Sequence, residues 1–142
     1  MNSTYTNAAA LAGRVLLAYF FVPAGFAKLG DLAGNMAFTA SGGLPGWFVF
    51  PALGLEIVAG LALLAGWQTR WAALALAAFT LVAGILYHYL PAQGLEPGQA
   101  FVQTLLFQKN LAIAGGLLIL SGFGAGAWSV DARQSRGGLA IA

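Results

Sequence analysis

Glu56 is the residue whose position most demands a chemical explanation. It stands in Leu53-Gly-Leu-Glu-Ile-Val-Ala-Gly-Leu-Ala-Leu-Leu-Ala-Gly66, a run that is otherwise wholly apolar. A carboxylate in such surroundings must be neutralised by a proton or paired with a cation, and either state can serve proton exchange or hydrogen bonding to a ligand. His88, the single histidine, sits between Tyr87 and Tyr89 and could exchange protons or hydrogen-bond a carbonyl oxygen such as a quinone's. The cations available within the spans are Arg14, near one end of the first, Lys28, near its other end, and Lys109 if the fourth span takes it in. Glu56 is the sole deep acid available to offset them. Glu56, His88, Lys28, Lys109 and Arg14 are therefore the candidate ligand-binding residues, and no residue can be assigned as catalytic. With one histidine, no cysteine and four scattered acids, no metal site is expected, and disulfides and thiol relays are excluded.

These side chains need a solvent that makes their placement costly, and the composition supplies it. Of 142 residues, 60% are hydrophobic and 7% charged, against about 25% charged in a soluble domain. Mean hydropathy is +0.82. Most of the surface must face lipid. The net charge of +2 rests on six basic residues spread along the chain, with no basic cluster interleaved with aromatics, so nucleic-acid binding has no support.

Apolar segments fall at residues 8–27, 47–66 and 71–89, with a fourth ending near Trp128. Each approaches the roughly 20 residues that cross about 30 Å of hydrocarbon as a helix. Trp47 and Trp67 bracket the second span, and Trp71 with Tyr87 and Tyr89 the third, as interfacial aromatics do. The fourth is ambiguous: either residues 124–127 extend it, or residues 103–109 enter the membrane, with Pro97 in the first turn favouring the latter. The expected fold is an all-α integral membrane four-helix bundle, residues 1–132, followed by a short polar tail, 133–142, read as disordered. No Lys or Arg precedes the first apolar run and no small-x-small cleavage site follows it, so that segment reads as a retained anchor rather than a leader.

Residues 67–70 form a tight turn, and residues 29–46 and 91–102 long loops at the other side. Arg70, Arg133 and Arg136 lie with the turn, Lys28 and Lys109 toward the loops. The positive-inside rule then places both termini in the cytoplasm. Arg14, Ala18, Phe21, Gly25 and Lys28 follow a 4-3-4-3 spacing and share a face. Glu56 follows Trp47 by nine residues, about 13.5 Å, and so lies near the midplane. Its face includes Ala52, Ala59, Gly60 and Leu63. His88 closes the stripe Ala73, Ala77, Thr80, Gly84. A structural reading competes with each: Arg14 and Lys28 can snorkel to the interfaces, Glu56 can be an ion pair that only fixes packing, and His88 can belong to the aromatic belt.

The pattern resembles the DoxX family of small four-helix membrane proteins over nearly the whole chain. The resemblance is carried by Arg14, Gly25-Phe-Ala-Lys28-Leu, Gly43-Leu-Pro, Glu56 with Leu61-Ala-Leu-Leu-Ala-Gly66 and Thr69-Arg70, His88, and Gly122-Phe-Gly-Ala-Gly-Ala-Trp-Ser-Val-Asp131. One departure is Asn110, with apolar residues after it, where many members carry an acid shortly after the fourth-helix lysine. The resemblance implies an inner-membrane protein associated with oxidoreductase systems, including subunits of quinone-linked enzymes.

The first reading is a quinone-linked or redox-associated membrane component that binds a small ligand in the outer half of the bundle, rather than a self-sufficient enzyme. Its cofactor is unassigned, with quinone the candidate. The alternative is a non-catalytic scaffold or partner subunit of a membrane oxidoreductase, and a small-solute carrier ranks last. The expected partners are the lipid bilayer, a redox enzyme subunit and further copies of the chain.

Overall fold

The computed structural model describes the backbone of residues 3–139 and the side chains of residues 3–136. Its elements are α1 (Ser3–Gly30), α2 (Leu32–Ser41), a single 3-10 turn at Gly46–Phe48 leading into α3 (Val49–Ala65), and α4 (Thr69–Gly84). A π-helical turn, Ile85–Tyr89, carries α4 into the short α5 (Leu90–Ala92); α6 (Pro97–Phe123) and α7 (Val130–Leu139) follow. No strand occurs among the described residues. Among the described residues four segments are long and apolar enough to cross a membrane: Ser3–Gly30, Gly46–Ala65, Thr69–Ala92 and Pro97–Phe123.

The favoured course of the fourth span, through residues 103–109, holds, and three expectations are corrected: its end near Trp128, the 29–46 loop and the irregular tail. The fourth span begins at Pro97, whose missing N–H costs nothing in a first helical turn, and ends at Phe123 because Gly124 turns the chain at φ 84°. Residues 103–109 are thus inside the helix and residues 124–127 outside it. The 29–46 connector is largely helical. Asp31 supplies the reason: its side chain accepts a hydrogen bond from the Gly34 N–H at 2.9 Å, the N-cap arrangement that stabilises a helix start by about 1 kcal/mol. The tail is helical through Leu139 rather than irregular, its residues 140–142 lying outside the described residues, and Ser129 begins it by accepting from the Ala132 N–H at 3.2 Å.

Packing divides the spans into two close pairs, α1 with α3 and α4 with α6, while α1 and α6 barely meet. Small residues allow the first pairing. A Cβ added at Gly25 would press on Ile57 and the Leu53 carbonyl, and one at Gly60 on Val22. Between helices already in lipid, van der Waals fit of this kind replaces hydrophobic burial as the source of association. The pairs join through a core of Ala59, Ala62, Leu63, Ala72, Ala73, Leu76, Ala77, Leu117 and Leu120 with Phe21. On α3 and α4 that core occupies the half nearest the turn at residues 66–68, which leaves the other half open for a cavity.

Candidate ligand-binding cavity

In the half remote from that turn, the four spans and α2 line a partly open cavity of about 670 Å³. Most of its wall is Ala, Leu, Phe and Val, and its polar groups are few: Lys28, Glu56, Thr80, Tyr87, His88, Lys109 and Asn110 from the spans, with Asn35 and Thr39 from α2. The spacing read from the sequence explains how they converge. Lys28 ends the buried stripe of α1, Glu56 lies about midway along α3, and Gly25 lets the two backbones approach closely enough for a direct pair.

Lys28 Nζ lies 2.7 Å from Glu56 Oε2 and 2.9 Å from Oε1, so both carboxylate oxygens are engaged. Glu56 is 5% exposed. This is the sole salt bridge among the described residues. Lys28 therefore does not reach outward as a free anchor. The expectation that cations of both the first and fourth helices surround Glu56 holds in contact only for the first: Lys109 Nζ instead sits 5.3 Å from the centre of the Phe20 ring, a cation–π approach.

His88 lies on the π-helical turn, whose extra residue shifts the register after Gly84 and brings both Tyr87 and His88 to the cavity wall. Its Nδ1 is 2.8 Å from Gln103 Oε1. With the amide so oriented the oxygen accepts and Nδ1 carries the proton, which leaves Nε2 as the basic nitrogen. Tyr87 donates to the Thr39 carbonyl at 3.2 Å and stacks on Phe38 with ring centres 4.6 Å apart, so α2 is held across the end of the cavity.

Arg14 is elsewhere. Its side chain is 1% exposed and Nη2 donates to the Trp128 carbonyl at 2.6 Å. It lies level with Gly66, where an added Cβ would strike Nη1, and it does not line the cavity. Asp131 completes this knot: its carboxylate accepts from the Gln68 N–H at 2.8 Å and the Thr69 N–H at 3.0 Å, while its own N–H donates to the Gly66 carbonyl at 2.9 Å. The terminal motif Trp128-Ser-Val-Asp131 thus locks the 66–68 turn against α1.

Sequence reasoning missed Thr80 and Asn110 as cavity residues. Thr80 is 3% exposed, lines the cavity, and its hydroxyl has no hydrogen-bond partner. A hydroxyl in a helix ordinarily back-bonds to a carbonyl in the preceding turn, so a buried one left without a partner on a cavity-lining residue is a candidate donor to a ligand. Its place in the stripe with Gly84 and His88 was the available signal. Asn110 is buried beside Lys109. Among the described residues no group of three or more His, Cys, Asp or Glu gathers as for a metal ion.

Fold and cavity together define a small polytopic helical membrane protein with a mostly apolar chamber and a buried ion pair in one half of its bundle. Comparison with known sequences gives the family. The chain belongs to the DoxX family, whose model matches residues 9–89, a stretch that holds Arg14, Lys28, Glu56 and His88. It is 39% identical over 121 residues to the inner membrane protein YqjF of Escherichia coli (strain K12), covering 85% of this chain and 88% of that one. It is 30% identical over 126 residues to the inner membrane protein YphA of the same organism, covering 87% and 88%. No solved structure matches it significantly. With four apolar spans and such relatives, the chain is a multi-pass inner-membrane protein.

Proposed function

We propose that this DoxX-family protein is a redox-associated membrane component that binds a small, ring-bearing, quinone-type molecule in the cavity of its bundle. The observation that carries this reading is the buried Lys28–Glu56 pair in the wall of an otherwise mostly apolar chamber, a wall that also holds Thr80, whose hydroxyl has no partner. The volume of about 670 Å³ falls within the roughly 300–1,000 Å³ typical of small-molecule sites, and apolar walls with a few convergent polar groups are their usual composition. Thr80 would donate to one ring oxygen. Lys28 would hydrogen-bond another while Glu56 holds it in place, and His88 Nε2 would take or give a proton. Electron transfer would be supplied by an enzyme alongside.

The test is organic extraction of protein purified in mild detergent, with quantification of released quinone. Wild type is expected to carry it and Glu56→Gln to lose most of it, with melting temperature checked in parallel. Wild-type protein that is quinone-free and takes up no added quinone analogue overturns the reading.

A further inference from the structure

We infer that the cavity is filled sideways from the bilayer, through a slot between α3 and α4, by an amphiphile whose polar head reaches the Lys28–Glu56 pair and whose hydrocarbon chain leaves between these helices into lipid. The inference rests on the cavity being a ligand site and adds the route and the chain. Each side of the chamber differs in what closes it. Between α1 and α6, Phe20 and Lys109 meet across the gap with Nζ 5.3 Å from the ring centre, bridging it. At the end covered by α2, the Tyr87–Thr39 hydrogen bond and the Phe38–Tyr87 stack hold that helix in place. Asp31 secures its first turn.

Among the described residues no hydrogen bond, ion pair or ring contact bridges α3 and α4. The lining residues that also reach the outer surface there are Phe48 and Pro51 on the α3 side and Ala75, Ala78 and Val82 on α4. All are apolar, and the two alanines leave room where larger side chains would close the wall. The polar lining atoms lie deeper: Glu56, Thr80 and Asn110 are all buried. A chamber with its polar groups at the back and an apolar mouth facing hydrocarbon admits a molecule already dissolved in the membrane. A head that reaches Glu56 and Thr80 leaves the mouth for a chain. A water-soluble solute would have to cross the bilayer's apolar region to reach the same opening.

The experiment uses the full chain in phosphatidylethanolamine–phosphatidylglycerol vesicles and a benzoquinone carrying a decyl chain with a terminal diazirine. After photolysis, peptides of α3 and α4 around Phe48, Ala78 and Val82 are expected to be labelled, and excess unlabelled decyl quinone to suppress that labelling. Ala78→Trp should reduce the suppressible labelling about tenfold or more, which corresponds to a tenfold change in occupancy, and Val82→Phe should act in the same direction. Suppressible labelling around Phe20 and Lys109 instead overturns the slot and leaves the cavity reading intact. So does labelling that Ala78→Trp does not change. No suppressible labelling anywhere in wild type overturns the cavity reading itself. The wild-type map alone decides the matter if neither variant folds.

Discussion

Thr80 separates a ligand role from a packing role more sharply than any charged residue here. Its buried hydroxyl is unpartnered, so Thr80→Val removes a desolvated group that gains nothing in the empty protein. The expected outcome is unchanged or higher stability without ligand, by about 1 kcal/mol, together with weaker quinone binding. Thermal denaturation in detergent and equilibrium binding read the two effects, and a loss of stability would show that the hydroxyl has a structural partner. Glu56 was legible in the sequence because a lone acid in an apolar run has few explanations. Lys28 as its partner was less so, since a lysine near a helix end can snorkel, and only the close approach at Gly25 shortens the distance enough for a pair. Thr80 and Asn110 were not legible as a site, because hydroxyls and amides on small-residue faces are common in membrane helices. His88 was legible as the single histidine, but its sharing the cavity wall with Tyr87 was not: a π-helical turn brings the two there together, and a regular 3.6-residue pattern cannot show it.

At the scale of elements, the 66–68 turn is held by charge as well as by fit. The Asp131 carboxylate takes two backbone N–H groups at the start of α4, which are strong, charge-assisted bonds near a helix N-terminus. Asp131→Asn is expected to lower stability by about 1–3 kcal/mol without altering cavity binding in the protein that remains folded. Gly66→Ala should be worse, because φ at Gly66 is 70° and the new methyl strikes Arg14. Melting temperatures of the two variants, ranked, check this. The spanning helices were readable from runs of about 20 apolar residues, whose backbone polar groups have no other solution in lipid. The fourth was blurred: Pro97 favoured a helix through Gln103, Gln108 and Lys109, which α6 places in its first half, but residues 124–127 look apolar enough to continue a helix that Gly124 has ended. Helix α2 was hidden because ten residues with one cap are too short for a periodic signal.

For the whole molecule, two tight pairs joined at one half produce a bundle solid near the turn and hollow away from it. The basic residues follow the same polarity. Arg70, Arg133 and Arg136 belong to the turn end, where the structure also puts Arg14, and Lys28 and Lys109 to the other. By the positive-inside rule the expected orientation puts the turn and both termini in the cytoplasm. A C-terminal alkaline phosphatase fusion should then be inactive and a C-terminal green fluorescent protein fusion bright, and the opposite pair of results would invert the orientation. The central claim is that the hollow half holds one lipid-soluble molecule, and native mass spectrometry of protein released from detergent tests it most directly. Wild type should retain one adduct of defined mass that fragments as a quinone, and Glu56→Gln should lose it. A bare chain, or an adduct equally abundant in both proteins, would contradict the account.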